Sequence, residues 1–125
     1  KLEKPVLVYT TGLNSRGYRS TEIKLWPDSM VYRLLKNEFI IATIYVDNRT
    51  ALPDQFANDS IATCGEYWMN YEITRYKKVM QPVFEIVNHK NETQTAEIAT
   101  YASHHDPELY GVWLQEGLDN FRKKN

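Results

Sequence analysis

Cysteine is nearly absent from this chain. Cys64 is the only one in 125 residues, so no internal disulfide can form and cysteine usage leaves the redox compartment open. Charge of one sign is missing too: 15 Lys and Arg stand against 16 Asp and Glu, for a net charge of -1. Such a chain has no basic field to hold a phosphate backbone, which argues against nucleic acid as a partner. No apolar run approaches the roughly 20 residues that a membrane-spanning helix needs. The longest, FIIATIYV at 39–46, reads as a buried strand, and direct membrane insertion by this domain is not expected. The sequence opens on Lys1 with neither a methionine nor a signal-peptide apolar core, so it reads as a mature or excised piece. No internal repeat and no low-complexity segment is evident, and the length suits a single domain over 1–125.

What is present is a readable alternation of elements. Residues 5–10, PVLVYT, are β-branched and aromatic and form a first strand, with Pro5 at its start where a missing N–H does little harm. A turn rich in small and polar residues, TTGLNSRGYRS at 10–20, leads into a helix expected over 15–25. Trp26-Pro27 ends that helix, since the residue before proline avoids helical angles. Asp28 looks like the N-cap of a second short helix, with Val31, Leu34 and Leu35 at helical spacing and Asn37 as its stop. Residues 39–46 are apolar nearly throughout rather than alternating, the pattern of a parallel strand covered on both faces. A polar loop over 47–59 follows, then a helix over 60–76 with Ile61, Cys64, Trp68 and Tyr71 on one apolar stripe. A weaker stripe runs through Tyr67, Met69 and Ile73.

The second half changes character. Residues 83–87 and 96–101 read as two strands joined by NHKNETQT, an antiparallel hairpin. A last helix opens at Asp106-Pro107, an N-cap with proline at the first helical position. Its wide apolar face carries Tyr110, Trp113, Leu114, Leu118 and Phe121, and Arg122, Lys123 and Lys124 lie at its end, where the helix dipole favours them. The expected order is βαβαββα, parallel in the first half and antiparallel in the second.

Several pieces of the chain, in order, carry a resemblance to one family. They are KPVLVYTTG, Arg19 and Glu22, WPDS, FIIATIYVDNRT, GEYW, MQPVFEIV and LQEGLDNF. Together they resemble the periplasmic, thioredoxin-like C-terminal domain of bacterial thiol:disulfide interchange proteins of the DsbD type. The resemblance runs over essentially the whole chain and implies an α/β, thioredoxin-like fold: a mixed four-stranded sheet flanked by helices. It also implies an exported, periplasmic location and a parent protein that is membrane-embedded. In that family the turn after the first strand carries Cys-x-x-Cys at a helix N-terminus, which stabilises the attacking thiolate. Matching Gly12, Arg19, Glu22 and Trp26 to the family pattern sets Ser15 and Tyr18 at the two cysteine positions. Neither can exchange with a disulfide, so the resemblance implies a redox-silent domain with no catalytic residue and no cofactor. Gln81-Pro82 matches the family's cis-proline, the one residue before which a cis bond is cheap. By the same resemblance, Arg16, Gly17, Tyr18, Gln81 and Pro82 form a binding surface for a protein or an extended peptide.

Other chemistries find less support in the residues. Cys64 could serve as a redox thiol with a partner's cysteine, but its place on an apolar stripe favours a buried packing role. His104-His105-Asp106 lacks further ligands at metal spacing, and adjacent histidines in extended chain point apart, so no metal site is expected. Ser15 lies in no nucleophile-elbow pattern, which leaves a hydrolase without support. The sequons at Asn48, Asn58 and Asn91 suit exposed loops and matter only on a glycosylating route.

Overall fold

The computed structural model describes residues 4–12, 21–47, 49–57, 61–76, 83–100 and 103–124. Four strands form one mixed sheet: β1 (Val6–Thr11), β2 (Ile40–Tyr45), β3 (Val83–Val87) and β4 (Ala99–Thr100). Their spatial order is β2-β1-β3-β4. β1 runs parallel to β2 from Val6↔Ile40 to Thr11↔Tyr45, and antiparallel to β3 from Val6↔Val87 to Thr10↔Val83. β3 and β4 pair antiparallel as expected, with Val83 opposite Thr100, but β4 begins at Ala99 rather than at residue 96, because 95–98 bend away from the ladder. Three α-helices accompany the sheet: α1 (Ser29–Glu38), α2 (Cys64–Tyr76) and α3 (Pro107–Lys124). Of the helix expected over 15–25, the described part is Thr21–Leu25, a single wide turn closed by the Trp26 N–H on the Thr21 carbonyl at 3.0 Å. That i→i+5 bond makes it a π turn. Among the described residues no helix is long and apolar enough to cross a membrane.

Strand periodicity divides the sheet into two unlike faces. Leu7, Tyr9, Phe84, Ile86 and Ala99 point to one side and meet Leu25, Val31, Leu34, Leu35, Tyr110, Trp113, Leu114 and Leu118 in one continuous core. The helical spacing read in the sequence for α1 and α3 is borne out: Val31, Leu34 and Leu35 are buried on α1, and all five apolar residues named for α3 are buried. Two caps set the helix starts. Asp28 Oδ2 accepts the Val31 N–H at 3.3 Å, and Asp106 Oδ1 accepts the Glu108 N–H at 3.1 Å. A Cβ on Gly117 would sit 2.4 Å from Ile86 Cδ1, so the missing side chain lets α3 lie directly on the sheet. Within this core Tyr9 stacks on Phe84 at 5.1 Å with nearly parallel rings, and Phe84 meets Tyr110 edge-on at 4.9 Å.

Two expectations fail. β2 is parallel, as read, but it is not covered on both faces. It is an edge strand, and Ile40, Ile41, Ala42 and Thr43 are exposed. An apolar run records β propensity and some burial; it does not say whether a neighbour strand lies on each side. The second concerns α2. It begins at Cys64 rather than at residue 60, and its fully buried positions are Gly65 and Glu72. Cys64 is half-buried, as are Ile61, Trp68 and Tyr71, so the buried stripe is displaced by one position from the one expected. The second sheet face carries Glu85, and it is Arg75 and Tyr76 near the end of α2 that turn toward it.

Candidate functional site

The carboxyl end of β1 gathers the flanks of the two segments that carry the expected site residues. Thr10 pairs with Val83 and Thr11 with Tyr45, while the Val46 N–H donates to the Thr11 carbonyl at 2.9 Å. Residues 13–20 follow the buried Gly12, and residues 77–82 lead directly into Val83. Both segments therefore leave from neighbouring strands at one end of the sheet. Ser15, Arg16, Gly17, Tyr18, Gln81 and Pro82, with the expected cis bond, lie outside the described residues.

The described residues around this end are polar for an interior. Thr10 and Thr11 close β1 and Thr21 opens the π turn; all three are completely buried. Their hydroxyls have no hydrogen-bond partner among the described residues. A buried hydroxyl in that state costs about 1–3 kcal/mol, and such groups gather where function rather than packing sets the sequence. Thr100, beside Val83, is better satisfied. Its N–H donates to Ser103 Oγ at 3.0 Å and its Oγ1 accepts the Ser103 N–H at 3.1 Å, a closed side-chain turn. Ser103 Oγ also lies 2.7 Å from His104 Nδ1, and His104 Nε2 is 3.9 Å from Glu97. The serine and histidine are the nearest thing here to a nucleophile and its base. The Thr100 turn holds that hydroxyl, however, and His104 packs its ring against Trp113 at 5.9 Å. Among the described residues no cluster of His, Cys, Asp or Glu could hold a metal ion.

Sequence reading missed a second polar centre. Glu85 sits in mid-strand on β3 with 1% exposure. Arg75 grips it with two bonds, Nε to Oε1 and Nη2 to Oε2, both 2.8 Å, and Tyr76 donates its hydroxyl to Oε1 at 2.8 Å. The Thr93 hydroxyl donates to Oε2, and Arg75 Nη2 also reaches the Asn91 carbonyl at 2.9 Å. Burial pushes the Glu85 carboxyl upward, but the hydrogen bonds from Arg75, Thr93 and Tyr76 outweigh it and hold the group below the usual carboxylate range. Tyr76 shifts the other way: burial and the neighbouring carboxylate raise its phenol, which stays a neutral donor. The signal was in the sequence: a glutamate inside the apolar run VFEIV must find a cation or leave the core. This network ties α2 to β3 and to the hairpin turn. Its geometry is that of a structural clamp.

Cys64 opens α2 behind a capping box. Thr63 Oγ1 accepts the Glu66 N–H at 3.2 Å, and Glu66 Oε1 accepts the N–H groups of Ala62 and Thr63 at 2.8 and 3.0 Å. Those two backbone bonds hold the Glu66 carboxyl low. The thiol lines a recess of about 300 Å³ together with Leu52, Pro53, Phe56, Tyr67 and Trp68. The recess is apolar and largely aromatic: Tyr67 meets Trp68 edge-on at 5.1 Å and Phe56 at 6.3 Å. Among the described residues no basic side chain lines it. No family model and no curated protein matches the chain.

Proposed function

We propose that this chain is a thioredoxin-like domain, akin to the C-terminal domain of DsbD-type thiol:disulfide interchange proteins, that has lost thiol chemistry and serves as a binding module. The observation that carries the reading is the convergence of the β1 exit and the β3 entry on one end of the sheet. The mixed strand order β2-β1-β3-β4 adds support, because it is the arrangement such a fold requires. On this reading Ser15 and Tyr18 occupy the positions of the two sulfurs, and neither residue supports disulfide exchange. What remains is the surface beside Val83, where Arg16, Gly17, Tyr18, Gln81 and Pro82 would meet an extended protein segment by backbone pairing. The same reading assigns the chain to the periplasm or another exported setting, beside or within a membrane-embedded parent.

Two measurements test it. Insulin reduction by dithiothreitol should proceed at the uncatalysed rate with the domain present. Titration with unfolded peptide should move the amide resonances of Thr10, Thr11, Val83 and Thr100 before others. Turnover above background that Cys64→Ala abolishes would defeat the reading, as would peptide shifts confined to another surface. The half-exposure of Cys64 favours one second reading, an oxidoreductase in which this thiol pairs with a partner's cysteine. Under it, Cys64→Ala would abolish capture of a disulfide-bearing peptide, while Ser15→Ala would leave capture unchanged.

A further inference from the structure

The recess at the start of α2 is held between two elements that the backbone ties together. The Cys64 N–H donates to the Thr50 carbonyl at 2.8 Å, the Leu52 N–H to the Ala62 carbonyl at 2.9 Å, and Ala51 pairs with Thr63 between them. A turn closed by the Phe56 N–H on the Pro53 carbonyl at 2.9 Å sets the Phe56 ring beside Tyr67. The planes of Phe56 and Tyr67 stand at 67°, and those of Tyr67 and Trp68 at 88°, so the aromatic walls turn corners instead of stacking flat. The volume, about 300 Å³, is at the lower end of the range for small-molecule sites.

Charge decides which ligand suits these walls. From Thr50 to Thr74 the chain carries Asp54, Asp59, Glu66 and Glu72 and no Lys, Arg or His. Arg49 and Arg75 bound the stretch, and Arg75 is spent on Glu85. An anion finds few donors here: Glu66 takes the N–H groups of Ala62 and Thr63, Thr50 takes that of Cys64, and Thr63 takes that of Glu66. The positive end of α2 is thereby answered within the chain. A cation meets ring faces, with the exposed Asp54 next to the lining Pro53. An ordinary ammonium would bring N–H donors, for which the six lining side chains supply no carboxylate or amide. A fully methylated nitrogen brings none. We propose that the recess binds the quaternary ammonium group of a small organic cation of the choline type, seated among Phe56, Tyr67 and Trp68. The nearby acids disfavour a phosphate close to that nitrogen, so the ligand is a free cation and not a lipid headgroup. This inference does not rest on the binding reading above, whose residues flank Val83.

The test is titration of the full chain, followed through its amide and indole NMR resonances, with tetramethylammonium, choline, phosphocholine and a neutral isostere of choline. In the isostere a tert-butyl group replaces trimethylammonium. Both simple cations should bind saturably and move the resonances of Phe56, Tyr67 and Trp68 first. The isostere keeps the shape without the charge and should bind about tenfold more weakly or worse. Choline should also slow alkylation of Cys64 by uncharged iodoacetamide, because the thiol lines the same recess. Trp68→Leu should cut affinity by about tenfold. Phe56→Leu, at a position 51% exposed where folding is not at stake, should cut it by about threefold. Phosphocholine binding tighter than choline would make the ligand a lipid headgroup and overturn the proposal. So would a lack of saturation with either simple cation, equal affinity for the isostere, first shifts away from the recess, or affinity that both variants leave unchanged.

Discussion

Replacing Arg75 with methionine should be among the most damaging single changes available on the α2 side. The variant keeps much of the aliphatic bulk of Arg75 but removes both bonds to Glu85 and the bond to the Asn91 carbonyl. Glu85 is then a carboxylate with 1% exposure and only the Tyr76 and Thr93 hydroxyls as donors. Breaking one side of a buried pair costs about 3–5 kcal/mol, because the remaining charge has lost water and partner together. The pH dependence gives the sharper signature. In the native protein the folded Glu85 carboxyl lies below its unfolded value of about 4.3. Its contribution is thus complete above pH ~4.3 and is lost as pH falls through the lower folded value. In the variant, burial acts without the guanidinium and the folded carboxyl rises above its unfolded value. The folded variant then binds the extra proton, and its stability climbs as pH drops from neutral toward ~4.3. The gap between the two proteins should be widest at neutral pH and narrow on acidification. Urea denaturation across pH 4 to 8 measures it. A loss under about 1 kcal/mol at neutral pH, or a gap that does not change with pH, would refute the reasoning.

Three further outcomes follow from the packing. Gly117→Ala should cost about 1–3 kcal/mol in urea denaturation, since its Cβ would meet Ile86 Cδ1 at 2.4 Å and Thr95 Cγ2 at 3.2 Å, both in the interior. Asp106→Ala should remove about 1 kcal/mol by leaving the Glu108 N–H uncapped; a neutral result would mean that Pro107 alone sets the helix start. Cys64, being half-exposed, should react with a thiol reagent in the native protein without global unfolding, and labelling that needs denaturant would restore the buried packing role.

How much of this was legible beforehand varies with the physics involved. α1 and α3 carry apolar residues at helical spacing behind an aspartate cap, and cap, period and burial all agree in the structure. The β3–β4 hairpin was signalled by two apolar runs about a polar turn. β2 was misread because its composition matches an interior strand, while its position at the edge depends on which strands flank β1, a non-local property. The stripe on α2 was misplaced for a related reason. An apolar stripe predicts an oily surface beneath the helix, but that surface contains Glu85, which Arg75 and Tyr76 reach, while Gly65 and Glu72 are the buried positions and Cys64 is half-buried. The residues proposed to bind a partner were located by resemblance, and the structure describes their flanks at Gly12 and Val83.

The two faces of the sheet are held by forces with different dependence on conditions. On one side α1 and α3 are retained by apolar area, which does not titrate with acid. On the other, α2 is tied to β3 through an ion-paired carboxylate and its hydroxyl donors. A protein built this way has two stabilities. Acid strong enough to fall through the lowered Glu85 value, or any change that neutralises Glu85, should release α2 while the opposite side keeps its packing, giving an opening unit separate from the global one. The second sheet face, with Val8, Val83 and Thr10, would then be uncovered before the chain unfolds. Conditions milder than denaturing ones should therefore change what this domain can touch.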